Sequence, residues 1–260
     1  MNLELFRSFV ANPERCAIVM DFDGSLAEIV DHPDAARPLD GVVGLLHELV
    51  ARFGRVAIVS GRPVSFLRAA LPVDGLDLVG QYGLERAVGD EIVVDERAVP
   101  YAEAIAAVAD AAEAELGDVF VERKGSVAVT LHWRTCAGRG PTAESWAHRA
   151  AAAYGLTEYP TKMAVELRPP VAVDKGNAVE QLCEGVDSAL FAGDDHGDLS
   201  AFAALARLRS AGALGHAVRI GVRSAEAPAE LLAAADVLVD GPVGLLELLT
   251  GLVRAVSARG

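Results

Sequence analysis

The sequence predicts an α/β fold: a parallel-sheet core interrupted by an inserted α+β segment. Three observations carry this. Short apolar, strand-like runs alternate with stretches of helical spacing near both ends of the chain, which is the pattern of a parallel sheet with crossover helices. Between about residues 83 and 169 the texture changes to hairpin-like strands and two helical stretches. After that the first texture returns, so the middle reads as inserted into the outer domain.

The elements follow in order. Ala17-Ile18-Val19-Met20 is a buried strand. Residues 39–53 are helical, with Val42, Leu45, Leu46 and Leu49 on one face. Residues 55–59 form a second strand, 64–70 a helix and 76–79 a third strand. In the insert, residues 91–94 are a strand and 100–116 an alanine-rich helix. Strands at 119–122 and 127–131 flank the turn Arg123-Lys124-Gly125-Ser126. Residues 142–154 are a helix with Thr142 as N-cap, and 163–167 a further strand. Pro169-Pro170 is a candidate hinge. In the last third, helices span 175–184, 199–207 and 243–256, and strands span 188–192, 217–222 and 237–239. The expected division is residues 1–82 with 170–260 as the core and 83–169 as the insert.

Composition narrows the class. Of 260 residues, 52% are hydrophobic but only 5% aromatic, so the core is built from Ala, Val and Leu. No apolar run is long enough for a membrane span. Residues 1–14, with Glu4, Arg7 and Glu14, lack a signal-peptide pattern. Cys16, Cys136 and Cys183 are odd in number, scattered and without CxxC spacing, which argues against a disulfide framework or zinc cluster and for a reducing, cytoplasmic setting. The six histidines form no HxH or HExxH pair. A net charge of −14 repels nucleic acid and acidic membranes. It also repels a free phosphate ester, so an enzyme using one needs a local positive site and a metal ion. Of 23 basic residues only Lys124, Lys162 and Lys175 are lysine; a chain that favours arginine uses lysine where a compact point charge matters.

Four segments sit at strand ends or helix starts of the core, where open α/β sheets bind ligands. Asp21-Phe22-Asp23-Gly24-Ser25 ends the first strand. Its two carboxylates can divide labour between attack on phosphorus and proton transfer, and offer hard oxygen ligands to Mg²⁺; a plain turn gives the same pattern. Ser60-Gly61-Arg62 offers a hydroxyl and a close backbone N–H to a phosphoryl oxygen, or an ordinary helix cap. Lys175, in Asp174-Lys175-Gly176-Asn177, opposes the dipole of the helix it starts. It can neutralise a carboxylate and a phosphate, or simply face solvent. Gly193-Asp194-Asp195-His196-Gly197-Asp198 crowds three acids that repel one another without a cation or lysine; an Asp-rich cap is the plainer alternative. His196 is given no role.

The order and placement of these segments resemble the four motifs of the haloacid dehalogenase-like phosphohydrolases, and the insert resembles that superfamily's α+β cap on a Rossmann-like core. The resemblance narrows to the trehalose-6-phosphate phosphatases. Asp21 to Ala27 with His32-Pro33 is similar to their opening, Gly80-Gln81-Tyr82-Gly83-Leu84-Glu85 to their segment before the cap, and Glu122-Arg123-Lys124-Gly125 with His132-Trp133-Arg134 to their cap hairpin. Glu166-Leu167-Arg168-Pro169, Lys175-Gly176 and Gly193-Asp194-Asp195 with Asp198 and Phe202 resemble the remainder. Ser25 stands where the family commonly has Thr, Gly197 where it has Thr, and Leu199 where it has Glu.

The resemblance implies Asp21 as nucleophile and Asp23 as acid, then base. Mg²⁺ would lie on Asp21, Asp194 and the Asp23 backbone carbonyl. Ser60 and Lys175 would hold the phosphoryl oxygens, with Asp195 and Asp198 in support. Arg62, Glu122, Lys124, His132, Arg134 and Glu166 would bind substrate, with Lys162 a weaker candidate and cap closure completing the site. From the residues alone, Glu122 and Lys124 equally suit a surface salt bridge, and His132 and Arg134 an exposed strand edge, whereas Glu166 within an apolar run needs a partner. The expected partner is a small sugar phosphate and the expected state a monomer. Alternatives are a phosphatase for sucrose phosphate or mannosyl-3-phosphoglycerate, a phosphomutase, or a non-catalytic sugar-phosphate sensor.

Overall fold

A computed structural model of the chain describes residues 4–30, 32–161, 163–225 and 227–259. In chain order, α1 (Arg7–Ala11), β1 (Cys16–Met20), α2 (Val42–Val50), β2 (Arg55–Val59), α3 (Val64–Ala70), β3 (Asp77–Gly80) and β4 (Glu85–Val88) come first. Next are β5 (Glu91–Val94), α4 (Ala102–Glu115), β6 (Phe120–Lys124), β7 (Ala128–His132), α5 (Gly140–Tyr154), β8 (Thr157–Thr161) and β9 (Ala164–Arg168). The chain closes with α6 (Lys175–Leu182), β10 (Ser188–Gly193), α7 (Asp198–Ser210), β11 (His216–Arg223), α8 (Ala229–Ala234), β12 (Val237–Asp240) and α9 (Gly241–Ser257). Two compact units result, Met1–Asp90 with Val173–Gly260, and Glu91–Ala172.

Strands of the first unit run in the order β12-β11-β10-β1-β2-β3-β4. Every neighbouring pair is parallel except β3 with β4. The chain moves from β1 outward to β2 and β3, then returns to β10 on the other side of β1. The β1–β10 boundary is therefore the point where strand order reverses, the favoured ligand position in such sheets. Alternate residues feed two cores, because successive side chains of a strand point to opposite faces. Ile18, Met20, Ile58 and Leu190 pack with Leu46, Leu49, Leu245 and Leu249 on one face. Ala17, Val19, Val59 and Phe191 pack with Val179, Phe202 and Leu205 on the other. Covered on both sides, the strands read as continuous apolar runs.

The second unit holds a four-stranded antiparallel sheet in the order β6-β7-β9-β8. Val129, Leu131, Val165 and Leu167 pack on Ile105, Val108, Ala112, Ala143, Trp146 and Ala147 of α4 and α5. The α/β class with an α+β insertion is thus the observed architecture.

Several local expectations differ. The first unit extends to Asp90, not residue 82, because β4 pairs with β3. Lys124 is the last residue of β6 rather than part of the turn; Gly125, with φ +59°, makes the reversal. Thr142 is not a cap: α5 starts two residues earlier, at Gly140-Pro141, and its N-cap Arg139 makes no side-chain cap bond. β8 was hidden by Pro160, which an edge strand tolerates. Among the described residues, no helix is long and apolar enough to cross a membrane.

Candidate active site

Register brings the first and fourth motifs together. Met20 pairs with Ala192 of β10 and with Ile58 of β2. The residues just past these strand ends, Asp21, Asp194 and Ser60, therefore emerge on adjacent strands. The Asp21 amide continues the ladder by donating to the Ala192 carbonyl at 2.9 Å. The Ser60 amide donates to Val79 O at 3.0 Å, and the buried Ser60 Oγ accepts from the Arg62 amide at 3.2 Å.

The third motif supplies the cation. Asp174 and Asn177 form a reciprocal capping box that fixes the start of α6. Lys175, 2% exposed, then points Nζ to Asp21 Oδ1 at 2.9 Å and Asp198 Oδ1 at 2.7 Å. The other oxygen of Asp198 accepts from the Asp194 and Asp195 amides at 2.8 and 3.0 Å. Asp198 is thus fully used inside the protein: it anchors Lys175 and shapes the Asp194–Asp198 loop. Asp195 is exposed, 3.9 Å from Lys175 Nζ. His196 is exposed too.

One ammonium among these buried acids leaves negative charge in excess. Burial, ahead of repulsion from Asp198 and Asp195, pushes Asp194 up to about 8. Burial also raises Asp198 to about 6, against the pull of Lys175, and holds Asp21 well above the ordinary carboxylate range despite Lys175. Burial works against the charge on Lys175, but Asp198 and Asp21 outweigh it and keep the group protonated. Asp21, Asp194 and Asp198 each offer an oxygen within 4.8 Å of the others. With Asp198 committed to Lys175 and two amides, Asp21 and Asp194 are the carboxylates left for a cation. Hard oxygen donors with surplus negative charge fit a divalent metal. Gly24 makes room for them: at φ +74°, a Cβ there would lie 2.1 Å from Asp194 Oδ2.

Asp23 is turned to a different partner. Arg62 Nε and Nη2 each donate to one of its carboxylate oxygens at 2.7 Å. Below, the Arg62 guanidinium stacks 4.7 Å from the Phe66 ring centroid. The side chain of Asp23 thus lies outside the three-carboxylate cluster. Glu85 accepts from the Val64 amide at 2.8 Å, supplying the cap that Pro63 does not provide for α3.

The second unit gathers the other candidates on the sheet face opposite its core. Glu122, Thr130, Glu166 and Tyr159 form one row across β6, β7, β9 and β8. Glu166 Oε2 accepts from Lys124 Nζ at 2.6 Å and Thr130 Oγ1 at 3.0 Å. His132 Nε2 and Glu122 Oε2 are 2.8 Å apart. Arg134 is half-buried at the start of the turn Arg134–Arg139. Arg168 was missed from sequence. Its Nε is 3.0 Å from Glu166 Oε1, and its guanidinium stacks 3.5 Å from the Tyr159 centroid. Its signal was available, since it lies two residues beyond Glu166 on one strand and shares its face. Lys162 lies outside the described residues.

The family model described as trehalose-phosphatase matches residues 19–235. An uncharacterized glycosyl hydrolase of Mycobacterium tuberculosis is 35% identical over 206 residues, covering 74% of this chain and 15% of that protein. A trehalose-phosphate phosphatase of Mycobacterium avium is 33% identical over 201 residues, covering 73% of this chain and 51% of its own. The chain thus spans about half the length of the second relative and much less of the first. Among solved structures, a trehalose-6-phosphate phosphatase related protein superposes with TM-score 0.78 at 24% identity, covering 94% of this chain and 100% of its own. The family match begins on β1 just before Asp21 and runs past Asp198, so it takes in every segment of the buried Asp–Lys cluster: this chain belongs to the trehalose-phosphatase family.

Proposed function

We propose that the protein is a Mg²⁺-dependent phosphatase that hydrolyses trehalose 6-phosphate to trehalose and phosphate through an aspartyl-phosphate on Asp21. The observation that carries the reading is Lys175, buried between Asp21 and Asp198 beside Asp194. The substrate rests on the family match and on relatives named trehalose-phosphate phosphatases.

In this mechanism an Asp21 carboxylate oxygen attacks phosphorus as the bond from phosphorus to the sugar oxygen breaks. Asp23 gives a proton to that oxygen, which is otherwise a poor leaving group. It then takes a proton from the water that attacks phosphorus, freeing phosphate and restoring Asp21. Arg62 takes one lone pair of each Asp23 oxygen, so each oxygen keeps another for the proton it exchanges with substrate, and Arg62 stands beside it as a donor to a substrate oxygen. Ser60 and Lys175 hold the phosphoryl oxygens, and Asp195 and Asp198 keep Lys175 and the loop in place.

The Asp21 and Asp194 carboxylates and the Asp23 backbone carbonyl would hold Mg²⁺, with Asp198 in support. When bound, the ion supplies the charge neutralisation that a chain of net charge −14 needs to accept a phosphate dianion. Residues 91–172 serve as the cap. There Glu122, Lys124, His132, Arg134 and Glu166 supply the paired donors and acceptors that sugar hydroxyls require.

The test is a phosphate-release panel over trehalose 6-phosphate, sucrose 6-phosphate, mannosyl-3-phosphoglycerate and glucose 6-phosphate, with Mg²⁺ or with EDTA. Trehalose 6-phosphate should be turned over fastest, and only with the metal. Preference for another ester would replace the substrate, and no release from any would overturn the activity.

A further inference from the structure

Gln81 and Tyr82 are consecutive non-glycine residues in the left-handed region, with φ of +50° and +59°. Such backbone is disfavoured for residues bearing a Cβ and persists only where the surroundings enforce it. Here the enforcement is visible. The Gln81 amide donates to the Arg62 carbonyl and the Tyr82 amide to the Ser60 carbonyl, both at 3.0 Å. The turn is thus bound to the Ser60–Arg62 loop through main-chain bonds on either side of Gly61.

The Tyr82 ring reaches further. A Cβ on Gly61 would lie 2.6 Å from both Cζ and Oη of Tyr82, so that glycine is bare because the ring occupies its space. A Cβ on Gly197, in the Asp194–Asp198 loop, would lie 3.7 Å from Tyr82 Cε1. The next residue, Gly83, faces the Asp174 carbonyl just before Lys175, at 3.6 Å from where its Cβ would stand. One strained turn is therefore hydrogen-bonded to the Ser60–Arg62 loop and lies beside both the Asp194–Asp198 loop and the backbone just before Lys175.

We propose that Tyr82 is a positioning residue: its ring is a wedge that sets the spacing between the Ser60–Arg62 loop and the Asp194–Asp198 loop. The proposal rests on the phosphatase reading, in which Ser60 on one loop and Asp194 on the other act on one phosphoryl group and its metal ion and must stand at a fixed separation. Glycine at this position would relax the backbone, so the ring is what the strain maintains.

The test is steady-state kinetics of the full chain with Mg²⁺, using trehalose 6-phosphate and p-nitrophenyl phosphate. Tyr82→Gly and Tyr82→Ala should lower kcat on both substrates by about 10- to 100-fold, the scale of a small misplacement of reacting groups, with little change in KM. Tyr82→Phe keeps the ring and should restore kcat to within about 3-fold of wild type on that logic. Gly61→Ala drives a methyl into the ring and should also lower kcat. Combined with Tyr82→Gly the clash is gone, so the double variant should lose no more than Tyr82→Gly alone. Multiplicative losses, or a folded Tyr82→Gly with wild-type kcat, would overturn the wedge while leaving the phosphatase reading intact. A wild type that releases no phosphate would overturn that reading and the positioning role with it.

Discussion

Lys175 Nζ lies 2.9 Å from Asp21 Oδ1, so the residue that starts α6 neutralises the residue that ends the β1 segment. Asp198 holds the ammonium from the far side at 2.7 Å. Replacing Lys175 with Met leaves buried acids without their compensating charge, and breaking a buried pair in this way costs about 3–5 kcal/mol. Lys175→Met should therefore show a markedly lower denaturation midpoint, with part of the loss recovered at acidic pH where the acids are protonated. A midpoint equal to wild type at pH 8 would contradict the pairing.

Asp21→Asn keeps the shape of the side chain and removes the charge that the proposed attack on phosphorus requires. Turnover should fall on the order of 10⁴-fold or more, as for other residues acting in a catalytic unit, while circular dichroism and melting behaviour stay close to wild type. Comparable turnover would remove Asp21 as the attacking group.

The pH dependence of stability has a definite sign. In the metal-free protein Asp194 is raised to about 8 and Asp198 to about 6, against an ordinary value near 4. The folded state thus binds more protons than the unfolded state across that window. Their contribution is fully present below about pH 4 and is lost as pH rises through 6 and then 8. In EDTA, wild-type Tm should fall between pH 5.5 and 9 more steeply than that of Asp194→Asn. The Tm gain from Mg²⁺ should grow over the same range, because metal binding displaces those protons. Matching slopes for the two proteins, or a Mg²⁺ gain that shrinks with pH, would argue against Asp194 as a ligand.

Gly24 offers a steric test of the proposed cation site. An L-residue at its φ of +74° is strained by roughly 1–2 kcal/mol, and the added methyl would lie 2.1 Å from Asp194 Oδ2. Gly24→Ala should weaken Mg²⁺ binding, measured by calorimetry, well beyond its effect on Tm. Unchanged affinity would mean that Asp194 does not face the ion from this position.

The second unit makes a separable prediction. Glu166→Gln weakens the hydrogen bonds from Lys124 and Thr130 and removes the charge paired with Arg168, and an unsatisfied buried polar group costs roughly 1–3 kcal/mol. If this face reads the sugar, kcat/KM for trehalose 6-phosphate should drop about 10- to 100-fold on that scale, with p-nitrophenyl phosphate nearly unaffected. Equal losses on both substrates would count against sugar recognition here.

Much of this was legible in the sequence because the motifs sit where strand register must bring them. Apolar runs 17–20, 55–59 and 188–192 announced β1, β2 and β10, and parallel pairing then places their trailing residues side by side. Other features depend on tertiary context. The strand β4, Glu85-Arg86-Ala87-Val88, carries no apolar alternation and exists because β3 offers an edge. The bidentate Arg62–Asp23 pair joins residues 39 apart, and neither motif indicates that Asp23 faces guanidinium. The strain at Gln81 and Tyr82 was hidden because left-handed backbone is ordinarily signalled by glycine or asparagine.

The central claim is that Asp21 becomes phosphorylated, and rapid acid quench tests it most directly. Wild-type protein mixed with phosphorus-labelled trehalose 6-phosphate and Mg²⁺ should yield, within the first turnover, a hydroxylamine-labile label on the peptide containing Asp21 and no label in Asp21→Asn. Turnover with no transient label, or with the label on a peptide lacking Asp21, would contradict the account.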